Sequence, residues 1–297
     1  MFLEGFFGIV GADMPNSVRI RIAHSPDSDD AFMFFALTQG ILDTSGLEID
    51  HVLADIETLN QEAFSGTYDI TALSFHGYAH LADRYLLMPS GASFGDGYGP
   101  VVVAREPLGR DDLAGRTVAI PGELTTAALA FRIWQPEART LVVPFDEIFA
   151  AVESGRADAG VVIHEGQLTY RERGLAQVVD LGLWWQSATG GGPLPLGGNG
   201  IRRDLDPALR RRLCRLLTES IEYALDHRAQ ALDFAIRYAR ELESDPVRSD
   251  RFVGMYVNEW TRGYGEAGRR AVQDLLDRGF AAGILPRRVV AEFEAAE

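Results

Sequence analysis

Residues 18–37 read VRIRIAHSPDSDDAFMFFAL, and this stretch decides the fold class. Val18–Ala23 alternates apolar side chains with arginine, the period-two pattern of a strand with one buried face. The run His24-Ser25-Pro26-Asp27-Ser28-Asp29-Asp30 then turns the chain and offers side-chain oxygens at a helix start, and Ala31–Leu37 is apolar. A strand feeding a helix through a short polar turn is the opening of a β-α-β unit. The alternation continues with strands expected at Leu47–Leu53, Asp69–Ser74, Pro100–Ala104, Thr117–Ile120, Thr140–Val143 and Ala159–Ile163. Helices are expected at Ile56–Phe64, His76–Ala82 and Thr125–Trp134, and the spacing of Phe145, Ile148, Phe149 and Val152 is helical. This order predicts an α/β protein with mainly parallel sheets.

The last third reads differently. Asp206-Pro207 is the N-cap and first residue of a helix, the pattern stays helical to about Leu242, and Val253–Trp260 and Ala267–Leu276 continue it. At 297 residues the chain exceeds the size at which one core stops growing, so two lobes are expected. Two glycine-rich stretches, Gly95–Pro100 and Gly190–Asn199, are placed as the crossings and hinge. Residues 1–98 and 199–297 then form one discontinuous lobe and residues 99–198 the other, with a ligand cleft between them.

Charge narrows the partners. Lys plus Arg number 28 against 43 Asp plus Glu, a formal net charge of −15, which argues against nucleic acid and anionic membranes as partners. A small anion held by a few local donors remains compatible. Cys214 is the single cysteine, so no disulfide framework or multi-cysteine metal site exists, and its leucine-rich surroundings make it a buried helix residue. Met1–Gly11 is apolar but short, carries Glu4 and lacks a basic start, which makes it a poor signal peptide. The protein is read as cytoplasmic, and as a monomer or homodimer.

In open α/β sheets ligands gather at the C-terminal ends of strands, where helix N-termini present free N–H groups. Four places qualify. Pro121-Gly122-Glu123-Leu124-Thr125-Thr126 follows a strand, and two hydroxyls beside backbone N–H groups suit a carboxylate, unless one threonine merely caps the helix. His164, between Ile163 and Glu165, ends a very apolar strand and is placed to act as a base, against the plain alternative of a structural histidine. The His24–Asp30 run superficially resembles the start of a calcium loop, but the later glycine and glutamate are missing, so capping explains it and Ser25 is left as a ligand donor. Thr71–His76 is the fourth, with Ser74 at a strand end. His76 and His80 have zinc-compatible spacing, but Gly77 stands where a zincin glutamate would, so they are read as a solvated helix face. Neither metal nor cofactor is expected. Trp184-Trp185 either shields the cleft or packs.

Several of these segments, taken together, carry a resemblance. His24–Phe32, Asp55–Asn60, Gly122 with Thr125-Thr126, Ile163–Gly166, Val179–Gly182 with Trp184-Trp185, and Leu194–Gly197 together resemble the 1,4-dihydroxy-6-naphthoate synthase family of the futalosine route to menaquinone. The resemblance runs from about Arg19 to about Pro286, and the wider group includes chorismate dehydratase. It implies a two-lobed periplasmic-binding-protein-like (type II) fold with a helical C-terminal segment. It also implies a cofactor-free lyase acting on cyclic dehypoxanthinyl futalosine, a carboxylated small molecule. His164 matches the family's proton acceptor, Thr125 and Thr126 its carboxylate-binding pair, and Ala72-Leu73-Ser74 its second substrate-binding segment. Two segments depart from the family pattern. Asp27-Ser28-Asp29 stands where Cys-Pro-Asn is usual, and Ala72 where many members carry lysine. The alternatives are a solute-binding protein for a small carboxylate and a paralogue acting on another substrate.

Overall fold

The computed structural model describes residues 17–239 and 245–295; the apolar stretch Met1–Gly11 and the helix end expected near Leu242 lie outside them. Among the described residues the strands are β1 (Val18–His24), β2 (Leu47–Leu53), β3 (Ile70–Ser74), β4 (Tyr85–Leu87), β5 (Ser93–Gly95) and β6 (Val101–Ala104). They continue with β7 (Thr117–Ile120), β8 (Arg139–Val142), β9 (Ala159–Val162), β10 (Ala176–Asp180) and β11 (Leu194–Arg202). One sheet runs β2-β1-β3-β11-β4 with β5 also on β11, and the other runs β10-β6-β9-β7-β8. This is a two-lobed α/β fold, one sheet to a lobe.

The expectation of mainly parallel sheets needs correcting. β1 pairs in parallel with β2 and β3, and β7 with β8 and β9. β11 is antiparallel to β3, β4 and β5, and β6 to β9 and β10. Both are the strands that enter after the chain has passed from one sheet to the other. They join without a crossover helix on their own sheet, and only parallel neighbours require one.

Within the glycine-rich stretch Gly190–Asn199, residues 194–199 are paired strand and Gly190–Pro193 form the turn that precedes it. Its sequence, LPLGGNGIR, holds a proline and three glycines, all poor strand formers. The strand forms because neighbours on both sides supply ladder partners: Gly197 opposite Ser74, Asn199 opposite Ala72, and Gly200 opposite Leu87.

Helices begin where the turn chemistry predicts. Asp55 accepts from Glu57 and Thr58 N–H, Asp180 from Gly182 and Leu183, and Asp206 from Ala208 and Leu209, ahead of Pro207. Ile56–Glu62 and Thr126–Trp134 are the helices that matter most for the site. One apolar core runs through both lobes, joining Leu73, Phe75 and Tyr78 beside the first sheet to Val118, Ile120, Phe131 and Trp134 in the second. Each such side chain, fully buried, contributes about 1.5–3 kcal/mol. Trp185 is 1% exposed within this core, so it packs. Cys214 is likewise buried on its helix. No helix among the described residues is long and apolar enough to cross a membrane.

Candidate functional site

The C-terminal ends of β1, β3, β7 and β9 open onto one cleft between the sheets. Ser25, Ala72, Leu73, Ser74, Thr125, Thr126 and His164 all line it. These residues come from four separate strand ends, and only the fold brings them together.

His164 follows β9 with φ of 54°, the one positive value among the described non-glycine residues. The left-handed region costs a side-chain-bearing residue about 1–2 kcal/mol, so surrounding contacts must hold it there. Phe145 meets the imidazole edge-on, with ring centroids 4.9 Å apart. Nδ1 lies 3.2 Å from Oδ2 of Asp27, which comes from the other sheet's β1 turn. Asp27 is at the N-cap position of the helix Ser28–Met33, yet its side chain makes no capping bond. The same Oδ2 instead accepts the Ser25 hydroxyl. Ser25, expected to donate to a ligand, therefore donates to Asp27.

The two threonines divide their work. Thr125 is the N-cap of Thr126–Trp134: its Oγ1 accepts from Ala128 N–H at 3.2 Å and donates to Gly122 carbonyl at 3.0 Å. Thr126 Oγ1 accepts from His76 N–H at 3.3 Å, which leaves its own proton to point elsewhere. The first-turn N–H groups of this helix have no intrahelical partners and carry the positive end of its dipole, a setting that favours an anion. Gly122 has φ of 158°, and a Cβ there would sit 2.4 Å from Glu57 Oε2. The missing side chain lets Glu57 reach across and accept Leu124 N–H at 3.0 Å. Burial pushes the Glu57 carboxyl above the usual range.

His76 and His24 sit beside the cleft, while Asp30 lines it. His76 is 3% exposed, so the solvated helix face expected for it is wrong: the helix Phe75–Leu81 packs against the loop holding Thr125. Burial, with His80 close by, lowers its pKa to about 4. His24 is lowered to about 3 by burial and by His51, whose Nδ1 is 3.2 Å from its Nε2. Asp30 accepts Ser25 N–H at 2.7 Å, and burial plus the neighbouring Asp29 hold its carboxyl well above the usual carboxylate range.

Sequence reasoning assigned no role to the residues that tie the cleft together, although Asn60 closes the Asp55–Asn60 motif. Asn60, fully buried, accepts Ser74 N–H at 3.0 Å and donates to Ser74 Oγ and Leu124 carbonyl. Tyr256 donates to Gln167 Oε1 at 2.8 Å, and Arg248 meets Glu172 at 2.5 Å, both joining the helix Pro246–Tyr256 to the segment after β9. None of these has a local signal, since each partner is distant in sequence.

A family profile described as menaquinone biosynthesis matches residues 20–281, nearly the whole described chain. The chain belongs to the menaquinone-biosynthesis family. A relative within reach of this family, the 1,4-dihydroxy-6-naphthoate synthase of Thermus thermophilus, is 41% identical over 265 residues, covering 89% of this chain and 95% of its own. A crystal structure of an Archaeoglobus fulgidus protein is 45% identical with a TM-score of 0.85, over 90% of this chain and 98% of that one. The alkanesulfonate-binding protein SsuA of Xanthomonas axonopodis pv. citri, 15% identical, has a TM-score of 0.64 over 94% of this chain and 98% of its own. That likeness places this member of the menaquinone-biosynthesis family in the periplasmic-binding-protein fold.

Proposed function

We propose that the protein is a carbon–carbon lyase of menaquinone biosynthesis, converting cyclic dehypoxanthinyl futalosine to 1,4-dihydroxy-6-naphthoate without a cofactor. The observation that carries this reading is the meeting in one cleft of His164 with the N-terminus of the helix Thr126–Trp134. The identity to the Thermus synthase supports the choice of reaction. The substrate carboxylate would sit at the helix N-terminus, with Thr126, Ser74 and the Ala72-Leu73 backbone around it. Thr125 shapes that cradle as the helix cap. His164 would take the proton whose removal starts carbon–carbon cleavage. Residues 1–98 with 199–297, and residues 99–198, act as the two lobes that admit the substrate and exclude water around it. We read the enzyme as cytoplasmic, working as a monomer or homodimer.

The test is incubation of the purified protein with cyclic dehypoxanthinyl futalosine, with naphthoate followed by absorbance and mass spectrometry. The expected result is turnover by the wild type and a loss of about 10²–10⁴-fold in His164→Ala, with ligand affinity kept within a few-fold by calorimetry. Wild-type turnover in His164→Ala would remove the base assignment. Tight binding without product in the wild type would make the protein a binder, and neither binding nor turnover would remove the substrate.

A further inference from the structure

We propose that Asp27 is the positioning residue of His164, a carboxylate held on the opposite lobe that sets which imidazole nitrogen faces the reaction. The inference rests on the reading of His164 as the base. Asp27 is 1% exposed, and a buried carboxylate must be partnered. It occupies a helix N-cap position, where an aspartate ordinarily binds the first-turn N–H groups, yet it makes no such bond. Its Oδ2 is instead where the Ser25 hydroxyl and His164 Nδ1 converge, the latter at 3.2 Å.

A hydrogen on Nδ1 directed at Asp27 makes Nε2 the unprotonated nitrogen, because a neutral imidazole carries one N–H only. When Nε2 takes the substrate proton, the positive charge of the imidazolium develops against a carboxylate already in place. The Nδ1 proton stays where it was. His164 also has a left-handed backbone and a T-shaped contact with Phe145, ring centroids 4.9 Å apart.

The pair also spans the cleft. Asp27 follows β1 of one sheet and His164 follows β9 of the other. Ser28 donates to Glu165 across the same gap at 3.4 Å, beside the Tyr256–Gln167 and Arg248–Glu172 contacts. Separating the lobes would take Asp27 away from the base, so the working tautomer is selected where the two walls meet.

The experiment uses Asp27→Asn, nearly isosteric, with two readouts. Steady-state kinetics on cyclic dehypoxanthinyl futalosine should show kcat lower by about 10²–10⁴-fold, with KM changed by less than about threefold. Nitrogen-15 NMR of histidine-labelled wild type, with the His164 signals assigned by their loss in His164→Gln, should show hydrogen on Nδ1 and a bare Nε2. Asp27→Asn should shift that balance toward hydrogen on Nε2. A wild-type kcat in Asp27→Asn, or a raised KM at unchanged kcat, overturns the proposal. So does a bare Nδ1 in the wild type, a measurement that holds even where Asp27→Asn fails to fold. A wild type that makes no naphthoate rejects the reaction, while the tautomer still decides whether Asp27 orients His164.

Discussion

Asn60→Ala should destabilise the protein by about 2–4 kcal/mol, although Asn60 lies on a helix and not on a strand. Its amide lies fully buried between the helix Ile56–Glu62, the end of β3 and the loop before Thr126–Trp134. Removing it leaves Ser74 N–H, which donates to Oδ1 at 3.0 Å, without its partner. An unpaired buried N–H costs about 1–3 kcal/mol. The void adds about 1 kcal/mol, because the helix cannot settle into it without moving the cleft wall. The bond to Leu124 carbonyl is 3.4 Å long and adds little. For a protein of this size each kcal/mol lowers the melting midpoint by about 2–4 °C, so a fall of about 4–16 °C is expected. Urea unfolding followed by circular dichroism, with the slope m unchanged, measures the difference directly. Asn60→Asp keeps the acceptor for Ser74 N–H and loses both donors, which separates the two halves of the argument. A loss under about 0.5 kcal/mol in Asn60→Ala, the range of plain surface changes, would refute the reasoning.

The two cleft threonines should part company when changed singly. Thr125→Val removes a helix cap and should cost about 1 kcal/mol of stability, with a smaller loss of ligand affinity than in Thr126→Val. Thr126→Val should weaken binding about tenfold, equivalent to about 1.4 kcal/mol, and calorimetry showing equal dissociation constants would relegate Thr126 to packing. Gly182→Ala places a Cβ 1.9 Å from the Tyr98 carbonyl, where only backbone can give way. It should destabilise by about 3 kcal/mol or more, and an unchanged melting curve would contradict the close approach. The histidines predict a pH effect. His24 and His76 are lowered by burial to about 3 and about 4, from 6.5. The unfolded chain takes up protons that the folded chain refuses, so stability complete above pH 6.5 is lost as the pH falls toward 4. His76→Gln should make the drop in urea midpoint between about pH 7 and pH 4.5 shallower, and an equal slope in the variant would refute the assignment.

Reading VRIRIAHSPDSDD as strand, turn and helix start established the α/β class, because periodicity and capping are local properties that survive without tertiary context. The same logic placed Ser25, Ser74, Thr125, Thr126 and His164 at strand ends, the positions from which an open sheet presents ligand-binding groups. Local reading failed wherever a residue's partner is far along the chain. The glycines of β11 carry no strand preference, so its strand went unread, and it formed through the ladders offered by β3, β4 and β5. His76 looked solvated by its helix spacing, and the loop of Thr125 buried it. Asp27 looked like a cap by position, and its carboxylate was taken by His164, 137 residues later and on the other sheet. Patterning along the chain determines which elements form and which ends carry reactive groups. Which carboxylate meets which histidine is a matter of how two sheets pack, and that is decided only in three dimensions.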